Sequence, residues 1–159
     1  MELVDKILEH PKFIKYMKLN AKAEKKRKFC CHDIQHALDV ARVAYIIVLE
    51  NRYDLSKEMI YAAALLHDIG KWRQYKEKLD HAGEGAVLAQ EILQDIGVNE
   101  QDTALITDAI RGHRIQDENS SVLSRVLYVS DKTCRICFRC SMIEECNRFK
   151  DGKQPVLEY

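Results

Sequence analysis

Proline and glycine are scarce in this chain, with two and six among 159 residues. That leaves too few turn residues for a sandwich or barrel of many short strands, and no room for a low-complexity linker. A charge excess is missing too, because Lys+Arg 25 cancels Asp+Glu 25. The molecule therefore has no net field to draw nucleic acid or an acidic membrane surface. No apolar run is long enough to span a bilayer or to read as a secretory h-region, which points to the cytoplasm and reduced thiols.

What is present is a composition of 47% hydrophobic and 31% charged residues, suited to one soluble domain with a sizeable core. The periodicity predicts an all-α fold, a single compact helical bundle. Two N-terminal pieces divide near Pro11, which suits the first turn of a new helix. Between Lys12 and Lys28 seven lysines and Arg27 face a single acid, Glu24, and residues 1–29 read as a helical arm with a basic, solvated face. Asp33 to Asn51 is a core helix. Met59 to Leu66 is another, with Gly70 as its left-handed C-cap. Residues 71 to 80 form a charged loop or short helix. His81 to Ile96, Glu100 to His113 and Ser121 to roughly Asn147 complete the set, leaving 30–147 as the domain body and 148–159 as an irregular tail.

Polar residues on the apolar faces carry the chemical information, because an uncompensated buried charge is costly. His36 continues the stripe of Val40, Val43 and Ile47. His67 follows Ile60 and Ala64 in phase and is adjacent to Asp68. His81 stacks with Gly85, Leu88 and Ile92, and His113 follows Ile106 and Ile110. Asp131 interrupts the apolar run that contains Leu127. One inward histidine is commonly a hydrogen-bonded core residue. Four histidines and two aspartates facing one core need a shared partner, and divalent cations accept neutral imidazole and carboxylate together. Six ligands exceed one tetrahedral site, which suggests two metals bridged by a carboxylate, with Asp68 best placed.

The order His36, His67-Asp68, Asp131 resembles the H…HD…D signature of the HD-domain superfamily of metal-dependent phosphohydrolases. His81 to Ala86 and Ala109 to His113 look like the two extra histidines of its dinuclear branch, and the resemblance runs from about Cys30 to Asn147. It implies one metal on His36, His67, Asp68 and Asp131 and a second on His81 and His113, with Asp68 shared. The ions would be divalent transition metals, iron foremost, with manganese, cobalt, nickel or zinc as alternatives. A water shared by two such cations becomes hydroxide near neutral pH and attacks a phosphate ester or anhydride. The implied substrate is a small phosphate compound, a nucleotide or dinucleoside polyphosphate, with Asp68 and Lys71 in the catalytic machinery. Lys71, Arg111, Arg114 and Lys132 are the candidate phosphate contacts. Arg114 follows His113 and no Gly-Tyr-Pro element occurs, unlike the cyclic dinucleotide enzymes of the superfamily. Two other readings fit the same ligands: a di-iron oxygenase, and a non-catalytic nucleotide-binding module. Neither a membrane nor a nucleic-acid partner is expected, and a homodimer is left open.

His32, four residues before His36, stays outside the predicted ligand set and is left as a group behind the ligands, a substrate contact or a helix-start residue without chemistry, and His10 beside Pro11 needs no role. Cys134, Cys137, Cys140 and Cys146 form C-x2-C-x2-C-x5-C, with Cys30-Cys31 ahead of the first metal-binding helix. On a continuous helix these thiols diverge and behave as small buried apolar groups. A four-thiolate site would require the helix to end near Cys140, or Cys30 or Cys31 to arrive from across the fold.

Overall fold

The computed structural model describes residues 1–150 and 152–159, and Asp151, in the predicted tail, lies outside them. Eight α-helices follow in order: α1 (Glu2–Glu9), α2 (Pro11–Glu24), α3 (Ile34–Asn51), α4 (Lys57–Leu66), α5 (Lys71–Glu77), α6 (His81–Asp95), α7 (Glu100–Gly112) and α8 (Val122–Thr133). The predicted all-α class is observed, with no strand among the described residues. None of these helices is long and apolar enough to cross a membrane.

The helix starts follow local chemistry. Asp33, Ser56, Asp80, Asn99 and Ser121 each accept a backbone N–H of the first turn, satisfying donors that the helix itself leaves free. Pro11 opens α2, where its missing N–H costs nothing. Arg52 ends α3 in the left-handed conformation.

α3 packs on α4, α6 on α7, and α8 lies against both α3 and α7. Ile60, Leu65, Leu66, Leu88, Ile106 and Leu127 are fully buried between them. The N-terminal segment joins this core, since α1 packs on α4 and α2 on α5, burying Val4, Ile7, Phe13 and Tyr16.

Two expectations are corrected. The helix predicted to run from Ser121 to about Asn147 stops at Thr133, after which Cys137–Arg139, Ile143–Glu145 and Asn147–Phe149 form short 3-10 turns. Apolar residues recur there without burial, and Ile136 and Phe138 are exposed, so no packing face sustains the helix. Gly70 is the second. Its φ of −86° and ψ of 0° are not left-handed, and it caps the start of α5. Glycine is needed for space: a Cβ here would stand 2.6 Å from the Gly85 backbone nitrogen and 2.9 Å from the His81 carbonyl oxygen. The close approach of these backbones brings the Asp68 turn against the first turn of α6.

Candidate metal centre

At one end of the bundle α4, α7 and α8 finish while α3 and α6 begin. His67 and His113 are the C-cap residues of α4 and α7, His36 lies in the first turn of α3, and His81 opens α6. Carbonyl ends of helices favour cations, and two of the four histidines sit on such ends. Asp68 follows His67, and Asp131 comes from the last turn of α8.

All six predicted ligands converge. The donor atoms of His36, His67, Asp68 and Asp131 lie within 4.8 Å of one another, as do those of Asp68, His81 and His113. Asp68 belongs to both groups and divides its oxygens between them. Its Oδ2 lies 3.0 Å from His67 Nε2 and 3.9 Å from His36 Nε2, while Oδ1 lies 3.2 Å from His81 Nε2 and 3.8 Å from His113 Nε2. Asp131 Oδ1 approaches His36 Nε2 at 3.1 Å and His67 Nε2 at 3.9 Å.

Two imidazoles are held in the tautomer a metal requires. His67 Nδ1–H donates to the Ala64 carbonyl at 2.7 Å, and His113 Nδ1–H donates to the Ile110 carbonyl at 2.6 Å. A carbonyl can only accept, so in the neutral ring each Nε2 lone pair is directed at the cluster. His67 Nε2 and Asp68 Oδ1 are buried without a hydrogen-bond partner. Buried polar atoms left this way are costly, and a cation between them removes the cost. The donor set therefore fits divalent metal.

Burial drives the imidazoles of His36, His81 and His113 toward the neutral form, His113 down to about 4. Burial alone would also lower His67, but Asp68 and Asp131 outweigh it and push His67 upward. Burial opposes ionisation of Asp68 and Asp131 as well. His67 holds Asp68 well below the usual carboxylate range, and His36 does the same for Asp131.

The predicted phosphate contacts separate into two groups. Lys71 Nζ lies 3.3 Å from His81 Nε2 and 3.8 Å from Asp68 Oδ1, and burial lowers its pKa. Lys132 stands over the Tyr128 ring at 3.6 Å, with Nζ 4.0 Å from Asp131 Oδ2. Arg114 pairs with Asp80 at the exposed start of α6. Arg111 is not brought to the cluster. It is exposed on α7, pairs with Asp108 at 2.9 Å, and borders a separate cleft with Gln90 and Glu100. The helical step of two residues from Arg111 to His113 turns it to another face.

Sequence reasoning left the role of His32 open and missed Glu24, Arg135 and Asn20 around the cluster. His32 Nε2 lies 3.8 Å from Asp68 Oδ2, and its ring is fixed from behind by Glu24, which also accepts from Tyr75 at 2.7 Å. Arg135 Nη2 lies 3.0 Å from His36 Nε2. Asn20 donates to the Asp68 carbonyl at 2.9 Å and accepts from Trp72 N–H at 2.8 Å, pinning the turn from α2. The available signals were the position of His32 four residues before His36 and Glu24, the single acid in a basic stretch. A groove of about 690 Å³ with Phe13, Ile14 and Met17 on its apolar wall and Lys18 and Arg27 beside them includes His32 in its lining.

Comparison with known proteins identifies the family. An uncharacterized protein of Clostridium beijerinckii is 42% identical over 159 residues, covering all of both chains. A ribonuclease Y of Mycoplasma mycoides is 26% identical over 118 residues, which are 74% of this chain and 26% of that protein. The chain thus spans about a quarter of that relative's length. A crystal structure of a predicted HD superfamily hydrolase from an uncultured Thermotogales bacterium superposes with a TM-score of 0.60 at 27% identity, covering 84% of this chain and 74% of the other. The HD-domain model matches residues 33–136, a span that begins at the α3 cap and takes in every predicted ligand, and the chain belongs to the HD-domain family.

Proposed function

We propose that the protein is a metal-dependent phosphohydrolase acting on a phosphate ester or anhydride of nucleotide type. The observation that carries this reading is the Asp68 carboxylate, whose two oxygens serve two separate donor groups and have a lysine ammonium beside one of them. Two divalent ions held there, one by His36, His67, Asp68 and Asp131 and the other by Asp68, His81 and His113, would supply an activated water and neutralise charge on the phosphoryl group.

The chain's own residues do the rest. The Nδ1 bonds to Ala64 and Ile110 keep His67 and His113 oriented without reorganisation. Lys71, largely shielded from water, pairs with a phosphoryl oxygen as a point charge. Lys132 and Arg114 hold further phosphate oxygens at the rim. The groove beside His32, with an apolar wall and basic side chains, takes the organic part of the substrate. The resemblance to ribonuclease Y supports phosphate-ester chemistry and adds phosphodiesters to the substrates worth testing.

The test is phosphate release from a panel of mononucleotides, dinucleoside polyphosphates and a short RNA, with manganese, iron, cobalt or nickel added. Activity should require metal, and Asp68→Ala should lose bound metal and activity together while retaining helical content. Activity that persists without metal refutes the mechanism. A blank panel with tight nucleotide binding favours a regulatory module, and oxygen consumption by an iron-loaded protein favours the oxidative reading.

A further inference from the structure

None of the six cysteines supplies a donor atom to the two groups at Asp68, yet the structure meets both conditions under which they could form a site. α8 stops at Thr133, and the Cys137–Arg139 turn closes with Cys140 N–H donating to the Cys137 carbonyl at 3.1 Å. A tight turn of this kind folds a C-x2-C pair back on itself, as one shared ion requires. Facing it, Cys30 and Cys31 lie in the segment between α2 and α3, and Arg135 donates to the Cys31 carbonyl at 3.4 Å. Between the two segments is a cleft of about 360 Å³ lined by Cys30, Cys31, Cys134, Cys137 and Cys140.

These thiols are not equivalent. Cys134 has its sulfur 3.7 Å from His36 Nδ1 and 3.7 Å from the Asp131 carbonyl, so it is braced against the Asp68 cluster. Cys31 turns its sulfur to the Phe29 carbonyl and also borders the groove beside α2. Cys30, Cys137 and Cys140 remain. Burial raises the Cys137 thiol, and the neighbouring Cys30 and Cys140 sulfurs add to that, a repulsion between thiolates that a cation would reverse. Cys146 ends the following turn in the same conformation as Cys140, with φ −78° and ψ 123° against −78° and 122°. It does not line the cleft, and it is the ligand that the closing turns must bring in.

We propose that Cys30, Cys137, Cys140 and Cys146 bind one thiophilic metal ion, with zinc as the expected occupant. Among the described residues only the two groups at Asp68 have their donor atoms within 4.8 Å, so the ion must draw the 3-10 turns inward toward Cys30. The four thiols release their protons to solvent on binding, and no redox step is involved. The consequence is structural: the segment that carries Arg135 becomes clamped to the loop that carries His32.

The experiment measures zinc and iron in full-length protein purified under reducing conditions without chelator, for the wild type and three variants. Asp68→Ala should retain about one zinc per chain, because the thiolate site does not depend on the Asp68 centre. Cys137→Ser/Cys140→Ser should lose that ion, and Cys134→Ser should keep it. Cobalt(II) added to metal-stripped Asp68→Ala should give near-ultraviolet thiolate-to-metal bands that the double serine variant lacks. Single Cys30→Ser and Cys146→Ser variants, checked for helical content, cover the case in which the double variant misfolds, and each should weaken cobalt binding at least tenfold. The proposal is overturned if Asp68→Ala contains neither zinc nor a cobalt–thiolate band, if the serine variants bind as the wild type does, or if iron and acid-labile sulfide occupy the cysteines.

Discussion

Glu24 holds His32 at two points, accepting from its backbone N–H at 2.8 Å and lying 2.5 Å from its ring Nδ1. With Nδ1 occupied, Nε2 is the free face of the ring, and it is directed at the oxygen of Asp68 opposite the one beside Lys71. The shared carboxylate thus has an imidazole on one side and an ammonium on the other. Burial opposes the Glu24 charge, but hydrogen bonds from His32 and Tyr75 prevail and bring it down to about 2. A carboxyl depressed in the folded state contributes stability above its unfolded pKa, and that contribution is lost as pH falls through the folded value. Acid unfolding of the wild type should therefore include a component between about pH 4.5 and 2 that Glu24→Gln lacks. The same variant and His32→Gln should keep their metal while kcat falls on the order of tenfold or more. Metal content, kcat and KM measured together check this, and loss of metal from either variant would contradict it.

The sequence ranks Lys71 above Arg111 as a phosphate contact, and the structure places only Lys71 beside the cluster. Lys71→Ala should lower kcat/KM on the order of a hundredfold, since it removes a shielded charge from the phosphate position. Arg111→Ala should leave activity unchanged, because its guanidinium is exposed and paired with Asp108. Steady-state kinetics on the best phosphate substrate tests both, and equal losses would show that the cleft beside α7 also contacts substrate.

Helical phase made the convergence of the six candidate ligands legible, because His36, His67, His81, His113 and Asp131 each interrupt an apolar stripe in register, and Asp68 adjoins one of them. The arm and its partners were harder to read. His32 precedes the Asp33 cap and lies outside any helix, so periodicity gives it no direction, and its position depends on a long-range bond to Glu24 on α2. The end of α8 was equally hidden. Val122 to Thr133 and the residues after it contain similar apolar spacing, and only the absence of a packing partner for Ile136 and Phe138 ends the helix. Arg111 lies away from the cluster for a different reason, since it stands two positions before His113 and residues two apart on a helix point about 200° apart.

Removing metal should destabilise the fold, because the ligand cluster then leaves His67 Nε2 and Asp68 Oδ1 without partners in the interior. At metal concentrations about a hundredfold above Kd, linkage adds roughly 2.7 kcal/mol, which for a domain of this size corresponds to about 5–10 °C in Tm. Chelation should lower Tm by that amount, and manganese or cobalt should restore it. Asp68→Ala should show a much smaller dependence on added metal. Scanning calorimetry with and without chelator decides, and equal Tm values for metal-loaded and stripped wild type would exclude a buried metal-holding role for the cluster.

Gly70 tests whether backbone approach, more than ligand identity, sets the centre. A methyl group there meets the Gly85 nitrogen at 2.6 Å and the His81 carbonyl at 2.9 Å, both main-chain atoms that cannot rotate away. Gly70→Ala must therefore move the Asp68 turn away from the first turn of α6 by a substantial fraction of an ångström, carrying Asp68 from His81. The backbone conformation itself is open to alanine, with φ at −86°, so the cost is steric and of the order of 1–3 kcal/mol. The variant should fold with a lowered Tm, bind metal less tightly, and lose activity on the order of a hundredfold although every ligand and Lys71 is intact. Metal titration separates the two metal positions in this variant. The one built from His36, His67, Asp68 and Asp131 should survive better than the one that joins Asp68 to His81 and His113, because only the second spans the displaced contact.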